Sequence, residues 1–361
     1  MRQILREAVR RSVSRRSRGA GAAAERARAL EAEGRLREAL EQWTQLNRLD
    51  PDPWIEEHLI ELRCDDRLTE PTGRGIEPWP PTFDDPFPDV VGVPPEVDAA
   101  ALTAELLGGG LRHHGCLLVR GLIPSHTTAV LREAIDRAFA GREAFSQGAA
   151  RQETSPWYAP SEPWDRSTPD KARRSRRFSH SGNSSLHLCD SPRGCFEAID
   201  ALTHAGVVDV VSTYLGERVV LSSPKTMLRR VSPEATPSWH QDGSFMGVKS
   251  RVVNVWVALS DCGSGHDAPG IAILPRRLDE SLHGEVSNGN IILSPAELDA
   301  ARGDVEPVTP SFSAGDALLF DELMAHANGG GQPGLTRHRY ALEAWMFAPT
   351  FMPADYLPMA L

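Results

Sequence analysis

The stretch Trp239-His240-Gln241-Asp242-Gly243 decides how this chain is read. In extended backbone, side chains at i and i+2 share a face. His240 and Asp242 can therefore converge on one point, while Gln241 turns away. The next run, Arg251 to Leu259, is strongly β-patterned, so the motif lies at the entry to a strand. Two ligands on one edge need a third from elsewhere. Gly315-Asp316 reads as a turn opening a strand, Ala317–Phe320, and His326 follows where the exit of that strand can carry it to the same point. Two imidazoles and one carboxylate can grip a transition metal by one face and leave the opposite positions open.

Bulk properties narrow the class. A chain of 361 residues, 40% hydrophobic and 24% charged, is long enough for one large catalytic domain plus a small appendage. Its net charge of −10 argues against a general nucleic-acid binder. Cys64, Cys116, Cys189, Cys195 and Cys262 form no CxxC pair; they read as isolated thiols in a reducing compartment. No apolar run approaches the roughly 18 residues of a membrane span. The expectation is a soluble, cytoplasmic protein.

Three parts are expected along the chain: a basic arm and helical hairpin over 1–66, a linker over 67–96, and the catalytic domain over 97–361. The arm carries Arg2, Arg6, Arg10, Arg11, Arg15, Arg16 and Arg18 against the single acid Glu7. It reads as a solvated helix, with an organelle presequence or an anionic contact as the functional alternatives. Within 22–64, Leu36, Ala39, Leu40, Trp43 and Leu46 fall at helical spacing. The run from Gly34 to Pro51 resembles the second half of a tetratricopeptide repeat. About three repeats are needed for a free-standing stack, so a hairpin docked on the main domain, or on a second copy in a homodimer, is expected instead. The linker, with Pro71, Pro78, Pro80, Pro81, Pro86, Pro88, Pro94 and Pro95, is neither helix nor central strand. Its Trp79, Phe83 and Phe87 suggest that it lies against the protein surface.

Further on, a short helix over about 99–107 is expected to end at Gly108-Gly109-Gly110. A buried strand, 116–120, follows, then a helix from about 126 to 139 capped by Ser125. His113, His114 and His126 sit at element ends and read as satisfied, not as ligands. Residues 142–190 form a long irregular segment with Arg151, Arg166, Arg173, Arg174, Arg176 and Arg177 beside Trp157, Tyr158 and Trp164. That segment is a lid over an anionic or polar ligand, or a surface insertion. A helix over about 194–215, broken near Gly206, leads into β-rich chain: 226–231, 238–242, 251–259, 270–274, 290–293, 317–320 and 339–346. Many strands with glycine- and proline-bearing turns indicate a mostly β sandwich or jelly roll with flanking helices.

A face of two histidines and a carboxylate is the ligand set of non-haem Fe(II) oxygenases, whose open positions admit a co-substrate and O2. Those that use 2-oxoglutarate need a cation for its distal carboxylate, and the planar fork of arginine suits it. Arg337 and Arg339 follow His326 in a β-patterned run with shared parity, so both are expected to face inward, with Ala341 and Glu343.

These residues carry a resemblance. Together with Gly115–Leu122, Val253–Leu259, Pro269–Pro275, Gly315-Asp316 and the Arg-x-Ala-Leu ending at Leu342, they are similar in order and spacing to the phytanoyl-CoA dioxygenase family of Fe(II)/2-oxoglutarate oxygenases, over about 97–350. The resemblance implies a double-stranded β-helix core with iron held by His240, Asp242 and His326. It also implies 2-oxoglutarate held by an arginine after the distal histidine, with Trp256 near it. The family spacing from the distal histidine selects Arg337; the strand context, Arg-Tyr-Ala-Leu, selects Arg339, and Arg339 is preferred because the glycine-rich Gly329–Gly331 can hold a two-residue insertion. Asn328 stands where the family often has a small hydroxyl residue, and it can still hydrogen-bond the co-substrate. Halogenating relatives have a small residue at the carboxylate position, so Asp242 implies hydroxylation or a related C–H oxidation such as desaturation. The expected partner is a small-molecule substrate, with an anionic one suggested by the arginine-rich segment. The rivals are another metal-dependent jelly-roll enzyme, such as an isomerase or hydrolase, and a non-catalytic binding module.

Overall fold

The computed structural model describes residues 18–73, 75–160, 184–246, 250–282, 285–287, 290–354 and 356–361. The basic arm before residue 18, and Trp164, Arg166, Arg173, Arg174, Arg176 and Arg177, lie outside the described residues. In chain order the strands are β1 (Glu96–Asp98), β2 (Cys116–Arg120), β3 (Ser185–His187), β4 (Val220–Ser222), β5 (Met227–Val231), β6 (Val252–Ala258), β7 (Cys262–Gly263) and β8 (Ile271–Ile273). They continue with β9 (Glu285–Ser287), β10 (Asn290–Ile292), β11 (Ser311–Phe312), β12 (Ala317–Phe320), β13 (His326–Asn328), β14 (Arg339–Phe347) and β15 (Pro358–Ala360).

The large sheet runs β1-β2-β12-β6-β14-β4-β15, with β5 also on β14 and β3 on β5. Its middle, β5-β14-β6-β12, is antiparallel throughout. A second, smaller layer is built from β13 on β8, extended by bridges of His240 to His326 and of Ile273 to Val308. From β5 onward the chain mostly alternates between layers: β5, the His240 segment, β6, β8, then β12, β13, β14. That winding is a double-stranded β-helix, as the resemblance implied. Every side chain of β6, Val252 to Ala258, is buried. One face of this strand packs into the core beneath the helices and the other lines the barrel. Each fully buried Val there stabilises the fold by about 1.5–3 kcal/mol.

Helices Arg18–Ala32, Leu36–Leu49 and Pro53–Arg63 precede the barrel. Asp52 caps the third through the amides of Trp54 and Ile55. Trp43 is fully buried, edge-on to Trp54 at 5.4 Å and to His58 at 5.5 Å. The helices contact the main domain. Arg193 pairs with the buried Glu56, Arg48 donates to Asp200 at 2.7 Å, and Arg63 donates to the carbonyl of Ala360 at 2.9 Å. Ile60 joins the core of the barrel.

The proline-rich segment lies on the surface as expected. Trp79 sits 4.6 Å from the Arg251 guanidinium and Phe83 is 5.9 Å from Tyr214. Its packing corrects the expected helix end: helix Ala104–Gly109 continues through the glycines into a wider turn, Gly110–His114, and is capped by Gly115 at φ 81°. The glycines serve close approach. A Cβ on Gly108 would lie 2.4 Å from the Phe83 ring, and one on Gly109 2.4 Å from Pro86. Helix Ser125–Ser146 is longer than expected and is preceded by Pro124, so Ser125 is its first residue and not its cap. The break at Gly206, φ 72°, falls where it was expected. The strand expected over 238–242 is reduced to the single bridge at His240, because Gly243–Met246 turns into a short helix.

Candidate metal centre

His240, Asp242 and His326 offer ligand atoms that all lie within 4.8 Å of one another. Nε2 of His240 is 3.6 Å and Nε2 of His326 3.9 Å from Oδ1 of Asp242. Each imidazole is fixed the same way. Nδ1–H of His240 donates to the carbonyl of Ser238 at 2.9 Å, and that of His326 to the carbonyl of Met324 at 3.1 Å. With Nδ1 protonated, each Nε2 keeps its lone pair toward the cluster. Asn254 of β6 donates to Oδ2 of Asp242 at 3.4 Å and leaves Oδ1 facing the histidines.

Burial, and then His326, hold His240 down to about 4, and burial likewise lowers His326. Both rings are neutral at neutral pH, the state that binds metals. Burial pushes Asp242 up to about 6 although His240 pulls it down. The donor set therefore fits a divalent cation, which would relieve the buried carboxylate and take both lone pairs.

Gln241 is wholly buried and turned away, as parity required. Its amide donates to the carbonyl of Leu323 at 2.5 Å and accepts from the amide of Leu282 at 2.6 Å. Sequence reasoning missed this bracing, and missed Asn254. Their partners are distant in sequence, and only the burial of an amide between two ligands hints at it.

Arg339 opens β14 and is 1% exposed. It donates to the carbonyl of Gly270 at 2.5 Å and to Oδ1 of Asn328 at 2.8 Å, and its guanidinium carbon is 5.3 Å from the Trp256 ring. Among the described residues it has no carboxylate partner, and its Nε has no hydrogen bond. Burial lowers it to about 10. Arg337 lies elsewhere. It precedes the strand, so the parity argument does not reach it, and it is exposed in an ion pair with Asp267 at 2.6 Å. Trp256 is buried, opposite Glu343 and Leu318. Glu343 faces inward as expected. Burial opposes its charge, but Arg229 at 2.7 Å and Trp345 Nε1 at 3.0 Å outweigh that and hold it below the usual carboxylate range. His113 and His114 are satisfied by the carbonyl of Phe83 and by Asp85, away from the cluster.

The fold and site together define a double-stranded β-helix with a candidate metal-ligand cluster of two histidines and an aspartate. The family model described as Phytanoyl-CoA dioxygenase (PhyH) matches residues 111–266. This segment carries His240, Asp242 and Trp256 and stops short of His326 and Arg339. No curated protein matches the chain in sequence. Among solved structures, AviO1 from Streptomyces viridochromogenes Tue57 is 19% identical, covering 68% of this chain and 94% of that one, with a TM-score of 0.38. EctD from S. alaskensis, with 2-oxoglutarate and 5-hydroxyectoine, is 14% identical over 65% and 72%, at 0.43. The non-haem α-ketoglutarate-dependent epimerase SnoN from nogalamycin biosynthesis is 16% identical over 68% and 80%, at 0.42. At these identities and TM-scores the likenesses assign neither reaction nor substrate. Among the described residues no helix is long and apolar enough to cross a membrane.

Proposed function

We propose that this chain is an Fe(II)- and 2-oxoglutarate-dependent dioxygenase that oxidises a C–H bond of a small-molecule or lipid-like substrate and releases succinate and CO2. One observation carries the reading: a single barrel interior holds both the His240–Asp242–His326 cluster and a buried arginine, Arg339, with no acidic partner among the described residues. A hydrolase or isomerase would use the cluster alone; the unmatched buried cation is what a dicarboxylate co-substrate answers.

In this reading His240, Asp242 and His326 hold the iron. Arg339 and Asn328 take the distal carboxylate of 2-oxoglutarate, with Trp256 walling its chain. Bound iron and 2-oxoglutarate supply the oxidative decarboxylation that activates O2. The protein keeps both histidines in one tautomer, aims Asp242 through Asn254, and keeps water from the buried end of the barrel. Asp242 fills the position a halide would need, which favours hydroxylation or desaturation.

The test is anaerobic titration of the metal-free protein with Fe(II) and 2-oxoglutarate, following the visible metal-to-ligand charge-transfer band. The band is expected in the wild type and absent in His240→Ala and Asp242→Ala. Iron uptake without a band would sink the co-substrate assignment, and absence of both would sink the metal centre.

A further inference from the structure

We infer that the inner face of β5 recognises the substrate by a carboxylate, bound at Arg229, with the substrate body laid along Phe245 and Trp345. This rests on the iron reading above and names a substrate class for that site. Register places Arg229 opposite Ala341, on the barrel face shared by Arg339 and Glu343. Its Nε donates to Oε2 of Glu343 at 2.7 Å, and Glu343 is itself held by Trp345. The other edge of the fork, Nη1 and Nη2, makes no hydrogen bond to any described residue, and the side chain is 25% exposed. Glu343 thus fixes the guanidinium through Nε, and its planar fork keeps two further nitrogens, the donor pair that suits a carboxylate. Arg229 also acts electrostatically on His326.

A second wall begins at a metal ligand. The Phe245 ring stacks 6.2 Å from that of His240 and 6.1 Å from that of Trp345. Lys225, two residues before β5, holds its ammonium 4.6 Å from Phe245 and 5.4 Å from Trp345. Arg229 and Lys225 thus supply cations beside the rings of Phe245 and Trp345. An apolar body carrying a carboxylate fits both, and Arg339 remains for the co-substrate.

The experiment is anaerobic calorimetry on the protein with Fe(II) and 2-oxoglutarate, titrated with benzoate, 3-phenylpropionate and octanoate and with the primary amide of each. At least one acid is expected to bind, with its amide weaker on the order of tenfold or more, as a charge-assisted pair requires. Arg229→Gln should erase that preference and leave the charge-transfer band intact; Arg229→Lys, which keeps a cation for Glu343, should reduce it. Equal binding of acid and amide, no binding by any acid, or an unchanged preference in both variants would overturn the inference. An acid preference without the band would support Arg229 as the anion site while the iron reading fell.

Discussion

At the scale of residues, two arginines two positions apart have opposite expectations. Arg339→Ala should raise the 2-oxoglutarate concentration needed for the charge-transfer band by about 30-fold or more, since losing one partner of a buried charged contact costs about 2–5 kcal/mol. Arg337→Ala should leave that titration unchanged, because its partner is the exposed Asp267. A shift of equal size in both would count against Arg339 as the co-substrate residue. Asn254→Ala, which removes only the orienting bond to Asp242, should weaken iron retention about tenfold or more, read as bound iron after dialysis. The convergence of His240 and Asp242 was legible from their two-residue spacing alone. The start of β14 was legible as well: the strand expected over 339–346 begins at Arg339, which leaves Arg337 outside it.

Elements show the same division. β5, β6, β8, β10, β12 and β14 fall where the sequence placed strands between turn residues, whereas β7, β9, β11 and β13, two or three residues each, were not read from it. β3 was hidden in the long segment 142–190, because three residues on an edge carry no periodicity. The Gly108–Gly110 triplet has the composition of a helix end, yet it is a bed for Phe83 and Pro86. Gly108→Ala should therefore destabilise the fold by about 1–3 kcal/mol through overpacking, measured by denaturant unfolding. A neutral or stabilising result, as helix propensity alone would give, would mean that the proline-rich segment does not rest there.

For the whole molecule, the helical layer and the barrel share polar as well as apolar contacts. Burial pushes Glu56 up while Arg193 pulls it down, and burial prevails. Arg193→Ala leaves that carboxylate buried without its cation and should cost about 3 kcal/mol, seen as a thermal midpoint lower by several degrees. A homodimer through these helices would have to use a face other than that of Pro53–Arg63. The buried amide of Gln241 has a consequence for the order of events in the cell. It braces the ligand-bearing segments by bonds within the chain, to Leu323, Glu280 and Leu282. On the proposed reading, the receptacle should then be complete before any ion arrives. Unlike a zinc finger, this protein should mature in two separable stages, chain first and ion second, and survive starvation for iron as an intact, reloadable shell.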